Sequence, residues 1–297
     1  MDVSIVIPSL NAAGLPDTVA SLRRQTRAAD ISEVIVVGLD EAGVLKEELG
    51  VRFVSTGRPV GPAAARNIGV ERARHSTVCF IDADCLAHER WLESLMARQA
   101  AGEPIVGGSV EIESSNYWTL ADNLSMFHEY MSHWPPGPRR YLPTLNLLVE
   151  KPVFERVGLL DDSLMRGEDV DWTIRARRAG YRIFFEPAAR VRHVPARAGL
   201  SSVLRHWWQS GYYMRQVRWR YRDEYRTPRL AHSRLALIAL SPAVSAWSTL
   251  RLFLEHRGRW RYLHTAPVVW LTKMAWCFGA ARRGGAPVTE EAGGSAL

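Results

Sequence analysis

Two aspartates separated by one residue end a short apolar segment, and they are the residues of this chain best placed to do chemistry. The segment Thr77–Ile81 is rich in β-branched and aromatic residues, which predicts a buried strand, and Asp82 and Asp84 follow it. Side chains two residues apart along a strand lie on one side, so both carboxylates should face the same way. Such oxygen ligands suit Mg²⁺ or Mn²⁺ beside substrate phosphates, and ligands of open α/β sheets collect where strands end. The pair therefore predicts a metal and diphosphate site, although an isolated Asp-x-Asp would more simply be a solvated turn.

Strand-like and helix-like segments alternate through the first hundred residues and would carry these aspartates in a sheet. Strands are predicted at 2–9, 33–37, 51–55 and 77–81, and helices at 15–25, 61–74 and 89–99. This alternation predicts an α/β fold with a mostly parallel sheet and helices on both faces. Further strands are expected at 107–113, 144–149 and 181–185, an extended piece at 190–193, and helices at 153–157 and 168–179. Residues 115–140 end in Pro135-Pro136-Gly137-Pro138 and are predicted to form a loop or cover.

The charge of the chain is divided unevenly along its length. Residues 1–189 carry a net charge of −6, whereas residues 190–283 carry +15 together with seven of the eleven tryptophans. This asymmetry points to an anionic partner, and a membrane surface is favoured over nucleic acid because no nucleic-acid-binding motif is present. Three cysteines without zinc spacing fit a reduced, cytoplasmic compartment, so a location at the inner face of the membrane is expected.

The pattern becomes helical from residue 201. The stretch 235–254 holds a single charge and is nearly long enough to cross a bilayer, but Pro242 and several serines weaken that interpretation. Interfacial membrane contact is therefore favoured over a span, and a packed helical subdomain with a basic face is the plainer alternative. Residues 284–297 are rich in Gly, Ala and Glu and are predicted to be a disordered tail.

Four further segments, taken together with the aspartates, resemble the family 2 glycosyltransferases. These segments are Val3–Asn11, Gly61–Gly69, the triplet Gly167-Glu168-Asp169, and His193. The resemblance covers roughly residues 1–195 and implies a GT-A fold, which is Rossmann-like, and an inverting enzyme that uses a nucleotide-sugar donor. Residues 144–193 most resemble the branch that contains rhamnosyl- and galactofuranosyltransferases.

The resemblance implies roles for the acidic residues and the histidine. Asp82 and Asp84 would hold the metal–diphosphate, with Asp84 the more direct ligand and His193 a third ligand. Asp169 matches the family's catalytic base, and Glu168 would orient the acceptor or share the proton. The implied cofactor is Mn²⁺ or Mg²⁺, and the donor a UDP-, GDP- or dTDP-sugar. The plainer alternatives are a core or surface histidine, and acidic residues that merely cap a helix.

The donor's nucleotide would lie beside a second set of residues. Arg66 and Asn67 match the family's Ala-Arg-Asn, and Pro8, Ser9 and Asn11 would line the base pocket. The family's Asp-Asp-Gly-Ser-like turn is replaced here by Gly38-Leu39-Asp40, so Asp40 would make the base contact from a shifted position.

These expectations give a three-part organisation and two competing functions. A catalytic domain is predicted for residues 1–200, a helical extension facing the acceptor and the membrane for 201–283, and the tail for 284–297. The acceptor is expected to be a hydroxyl compound. The tryptophans and the aliphatic stretch indicate a lipid-linked or amphiphilic one, such as a cell-envelope glycan precursor, and a soluble small molecule or natural-product scaffold is the alternative. A degenerate, non-catalytic nucleotide-sugar-binding module is the alternative. A nucleotidyltransferase is disfavoured because residues 9–14, after the first strand, contain no basic residue.

Overall fold

A computed structural model describes residues 2–45, 50–225 and 233–282 of the chain. Its strands are β1 (Val3–Leu10), β2 (Ile31–Leu39), β3 (Arg52–Ser55), β4 (Thr77–Ile81), β5 (Cys85–Ala87), β6 (Ile105–Glu111), β7 (Gly137–Pro138), β8 (Asn146–Glu150) and β9 (Phe184–His193). Its α-helices are α1 (Leu15–Arg23), α2 (Pro62–Arg72), α3 (Trp91–Ala100), α4 (Tyr117–Phe127), α5 (Lys151–Val157), α6 (Glu168–Arg178), α7 (Leu200–Arg220), α8 (Arg222–Tyr225), α9 (Arg234–Leu254) and α10 (Ala266–Ala281). Short 3₁₀ helices lie at Ala28–Asp30, His128–Tyr130 and Arg257–Thr265.

The strands form one mixed sheet in the order β3-β2-β1-β4-β8-β6-β9-β5, and β7 also pairs with β9. Strands β3, β2, β1 and β4 are parallel, as the strand–helix alternation predicts, because each is reached through a crossover. Beyond β4 the sheet becomes mixed, since β8 runs antiparallel to both β4 and β6. The predicted fold class, a sheet flanked by helices with a helical C-terminal extension, is confirmed.

Strand β9 joins two segments that the sequence predicted as separate pieces. It runs parallel to β6 from Phe184 to His193, and the register shifts between Gly108 and Ser109. That irregularity accommodates Pro187, which has no amide hydrogen to donate to the ladder. The result is a continuous strand that carries His193 to the edge where β4 ends.

Residues 115–140 contain a core helix, so the prediction of a loop or cover was wrong. Helix α4 begins at Asn116, whose side-chain oxygen accepts hydrogen bonds from the backbone amides of Trp118 and Thr119. Its Asp122 and Asn123 are fully buried, as are its apolar side chains Ala121 and Leu124. The partners of these polar residues come from β9 and α7, and no local sequence pattern reveals partners so distant along the chain.

Helices α7 and α10 cross at two glycines that allow their backbones to touch. A Cβ atom on Gly211 would lie 1.9 Å from the Trp276 carbonyl oxygen, and one on Gly279 would lie 1.8 Å from that of Trp208. Helix α9 packs against α10, and α10 packs against α4. The C-terminal helices are thereby fixed to the sheet through α4. The predicted tail, residues 284–297, lies outside the described residues.

Candidate active site

The strand register brings Asp84 next to His193. Strand β5 pairs antiparallel with β9, so Cys85 lies opposite His193, and the Val194 amide donates to the Asp84 carbonyl oxygen at 2.8 Å. The Oδ2 atom of Asp84 lies 3.5 Å from Nε2 of His193. Two predicted metal ligands that are 109 positions apart in the sequence thus converge at one edge of the sheet.

Asn123 determines which nitrogen of His193 carries a proton. The Asn123 amide nitrogen donates to the His193 carbonyl oxygen at 3.0 Å, and the Asn123 Oδ1 atom lies 2.7 Å from the ring Nδ1. Because a carbonyl oxygen only accepts, the amide orientation is fixed and Nδ1 must be the donor. In the neutral ring Nε2 then directs a lone pair at the Asp84 carboxylate. Two acceptors facing each other at this distance fit a cation between them, and a metal-bound histidine donates its other N–H in this way.

The electrostatics around Asp84 favour its ionised form. Burial opposes ionisation, but the positive charges of His193 in its protonated form and of Arg197 outweigh it and hold the pKa of Asp84 below its ordinary value. Asp82 does not join this pair, since its carboxylate is turned towards Arg66. Among the described ranges no group of three His, Cys, Asp or Glu side chains has the spacing of a metal site. The donor set nevertheless fits an oxygen- and nitrogen-preferring divalent ion at Asp84 and His193.

Arg66 links the aspartate turn to the start of α6. Its guanidinium donates to Asp82 Oδ1 at 2.6 Å and to Glu168 Oε1 at 2.8 Å, and its side chain is 4% exposed. Burial would lower the pKa of Arg66, but the two carboxylates outweigh it and raise that pKa. Arg66 was expected beside the donor's phosphates, and it does line the cleft, but its two hydrogen bonds go to these carboxylates.

Glu168 is a buried and Asp169 a half-buried carboxylate in the first turn of α6. Burial and the neighbouring Asp169 raise the pKa of Glu168 to about 7. Burial also raises the pKa of Asp169, against the opposing effects of Arg66 and of backbone hydrogen bonds from Val170 and Thr144. A carboxylate with a raised pKa is a stronger base once it has lost its proton. The helix N-terminus also places both groups where negative charge is tolerated.

Asp171, in the same acidic cluster, has a structural role. It is fully buried and accepts hydrogen bonds from Arg175 at 2.8 Å, Arg220 at 2.7 Å and the Tyr221 hydroxyl at 2.8 Å. These bonds tie α6 to the end of α7. The helix-capping interpretation of the cluster is thus inadequate for Asp171, whereas Glu168 and Asp169 line the cleft.

The residues predicted for the nucleotide fall into two groups. Pro8 and Ser9 line the cleft, and Gly38 lies so close that a Cβ atom there would be 1.8 Å from the Ser9 carbonyl oxygen. The other three predicted residues are not among the cleft-lining residues and have partners elsewhere in the fold. Asn11 bonds Glu41, Asp40 accepts from the amides of Val44 and Leu45, and Asn67 exchanges two hydrogen bonds with Leu160. The base contacts predicted for Asn11 and Asp40, and the nucleotide-binding role predicted for Asn67, therefore stay predictions without geometric support.

A cleft of about 1760 Å³ connects these groups and extends to the C-terminal helices. Its wall near Asp84 carries cations that the sequence reasoning did not single out. Arg166 donates to His206 Nδ1 at 3.1 Å, and Arg197 pairs with Asp122 at 2.9 Å. Burial, Arg166 and Arg197 hold the pKa of His206 well below its ordinary value. Such a wall would stabilise a diphosphate next to Asp84. The run of basic and aromatic residues after residue 190 was the sequence signal for Arg197 and His206, and Arg166 had none.

Comparisons with known proteins agree with this arrangement. The model of the glycosyl transferase family 2 matches residues 4–158. The chain is 31% identical over 193 residues to the glycosyltransferase AglE of Haloferax volcanii, covering 62% of this chain and 64% of AglE. It is 30% identical over 200 residues to the pre-mycofactocin glycosyltransferase of Mycobacterium tuberculosis, covering 65% of this chain and 42% of that protein. The match thus spans less than two thirds of either relative's length.

A solved structure supports the fold independently. The crystal structure of GalNAc-T7 with UDP, GalNAc and Mn²⁺ superposes with a TM-score of 0.53 at 19% identity, covering 72% of this chain and 50% of that chain. The fold is thus the GT-A fold. The family model covers more than half of the sequence, and the chain belongs to glycosyltransferase family 2.

Proposed function

We propose that the protein transfers a sugar, with inversion, from a nucleoside diphosphate sugar to a hydroxyl acceptor. The observation that carries this proposal is the convergence of Asp84–His193 and of Glu168–Asp169 on one cleft, joined through Arg66 and Asp82. The UDP and Mn²⁺ in the GalNAc-T7 structure support a nucleotide sugar and a divalent ion here. The finer likeness to rhamnosyl- and galactofuranosyltransferases stays a prediction.

In this proposal one group of residues binds the metal and the diphosphate, and a second group binds and deprotonates the acceptor. Asp84 and His193, with Asp82 nearby, would hold Mn²⁺ or Mg²⁺, which when bound neutralises charge on the departing diphosphate. Asp169 accepts the proton of the acceptor hydroxyl as the oxygen attacks the anomeric carbon from the face opposite the leaving group. Glu168, held by Arg66, orients the acceptor beside Asp169. Arg166 and His206, on the wall of the cleft near Asp84, would bind the diphosphate.

The acceptor is proposed to carry an apolar part. The cleft continues from Asp169 between α7, α9 and α10, where Met214, Leu252 and Trp276 contribute apolar surface. A lipid-linked or otherwise amphiphilic hydroxyl compound suits this end. The basic, tryptophan-rich C-terminal helices are proposed to contact a membrane peripherally, at its inner, cytoplasmic face.

The proposal is tested with a panel of UDP-, GDP- and dTDP-sugars, each with and without Mn²⁺. Thermal stabilisation identifies the bound donor, and slow release of the nucleotide by hydrolysis reports transfer to water. Asp84→Asn is expected to abolish metal-dependent donor binding, and tight binding in the presence of a chelator would contradict its role. Donor binding without any nucleotide release would favour the non-catalytic binding module.

A further inference from the structure

Helix α9 is amphipathic in the reverse sense to a helix at the surface of a soluble protein. Its buried side is formed by Ser241, Ser245 and Thr249 along most of its length, and by Leu252 and Phe253 in its last turn. Its opposite face is apolar and exposed, and consists of Leu240, Val244, Trp247, Leu250 and Leu254. Leu235 and Ile238 are exposed at the start of the helix, beyond the buried stripe. A surface helix in water normally buries its apolar face and exposes its polar one. The outer face of α9 is therefore suited to a non-aqueous environment.

This face is larger than the single exposed apolar side chains that are normal on a protein surface. Leu235 is 78% exposed, Trp247 64% and Leu254 62%, and the neighbouring 3₁₀ helix adds Trp260 and Leu263. No charged residue lies between Arg234 and Arg251. Contiguous apolar patches of this kind on a soluble domain mark an interaction surface. Within the described residues α9 is the one helix long and apolar enough to cross a bilayer, but one side of it is buried and the helix packs against α10.

Positive charge surrounds the apolar face. Arg234 at the start of α9, Arg251 in its last turn and Arg257 just beyond it are all exposed, and Arg251 also pairs with Glu255 at 2.8 Å. Tryptophan indoles such as those of Trp247 and Trp260 prefer the level of lipid headgroups. Arginines at the ends of an apolar, tryptophan-bearing face complement an anionic headgroup layer, whereas a protein partner would have no need of this combination.

We infer that α9 lies in the plane of an anionic lipid bilayer, with its outer face among the acyl chains and its serine stripe on the protein. The inference extends the proposed membrane contact by assigning it to one face of one helix. Ser248 and Arg251 of the same helix also line the catalytic cleft. The far end of the cleft then opens beside the bilayer, so an acceptor held by its lipid tail reaches Asp169 without leaving the membrane.

The test measures binding of the full chain to vesicles without any donor, so it does not depend on transfer activity. The wild type is expected to float with vesicles of phosphatidylcholine containing about one third phosphatidylglycerol, and to bind pure phosphatidylcholine at least several-fold more weakly. High salt should weaken binding to the anionic vesicles, because it shortens the Debye length and so screens the attraction between the arginines and the headgroups. The double variant L240E/W247E is expected to lose at least ten-fold in vesicle binding.

Matched controls separate docking from misfolding and from failure of the proposed function. Phe53, on strand β3, is 39% exposed, and F53E should bind vesicles like the wild type. L240E/W247E should retain its circular dichroism and its stabilisation by UDP with Mn²⁺, since neither residue lines the cleft. Three results would overturn the inference: no vesicle binding by the wild type, equal binding by L240E/W247E, or a stable dimer in vesicle-free buffer that the double variant dissociates.

Discussion

Arg66 and Glu168 form a buried ion pair of 2.8 Å, although 102 positions separate them in the chain. The same guanidinium holds Asp82, so the turn proposed to bind the metal and the helix proposed to carry the base share one cation. A shift of either element would leave a carboxylate buried without its partner. Arg66 therefore acts as a positioning residue for both halves of the site.

Removal of Arg66 should damage stability and turnover together. Arg66→Gln leaves Glu168 and Asp82 without a counter-charge, and breaking a buried pair costs about 3–5 kcal/mol of unfolding free energy. Turnover of the folded fraction should fall by about 100-fold as Glu168 loses its orientation. Arg74→Gln is the matched control, because Arg74 is 72% exposed and lies 3.8 Å from its partner Glu33. Chemical denaturation and nucleotide release measure the two effects, and an Arg66→Gln variant resembling the control would contradict this role.

Asp169 and Asp171 should separate catalysis from stability. Asp169→Asn should still bind the donor but turn over on the order of 100-fold more slowly, because an amide cannot accept the acceptor's proton. Asp171→Asn should lower the free energy of unfolding by about 3 kcal/mol, since Arg220 and Arg175 lose a buried anion. Its folded fraction should retain most of the wild-type turnover. The reverse pattern would place the base at Asp171.

Asn123 should influence metal affinity without touching the metal. Asn123→Leu removes the acceptor that keeps the proton on Nδ1 of His193, so affinity for Mn²⁺ should fall about 10–100-fold. Titration of Mn²⁺ followed by electron paramagnetic resonance measures this directly, without a turnover assay. Asn116→Leu, at the start of the same helix, should cost about 1 kcal/mol of stability and leave Mn²⁺ affinity unchanged. Equal affinities for the wild type and Asn123→Leu would show that His193 is not a ligand.

Because the pKa of Glu168 is raised in the folded chain, the free energy of unfolding should fall as the pH rises. Its pKa is about 7 in the folded chain and near 4.5 when unperturbed, so between these values the folded state retains a proton that the unfolded state has lost. Stability from this group is present below about pH 4.5 and is lost as the pH rises towards 7. Relative to the wild type, Glu168→Gln should therefore gain stability between pH 4.5 and pH 7.5, measured by denaturation at each pH. If the free energies of unfolding of the two proteins differed by the same amount at every pH, the raised pKa of Glu168 would be refuted.

The sequence by itself determined the local elements and the chemistry available to them. The alternation of apolar strands with helices predicted β1 to β4 and the helices between them, and the Asp82-Ala83-Asp84 motif predicted where carboxylates would gather. Both signals are local, because side-chain periodicity and strand ends depend on residues close together in the chain. The helix predicted at 153–157 ends before Gly158, whose φ of 84° is costly for other residues.

The tertiary structure alone decided which of these residues meet. The pairing of β5 with β9 brought His193 to Asp84, and no spacing in the sequence encodes a strand register between segments a hundred residues apart. The same holds for Asn123. The composition of residues 115–140 predicted a loop there, and nothing local showed that Asn123 would be buried with its partner on β9. It also holds for α9, whose composition predicted an apolar helix but not which face remains exposed. Contacts distant in sequence fixed these features, since burial and hydrogen-bond partners are properties of the packed molecule.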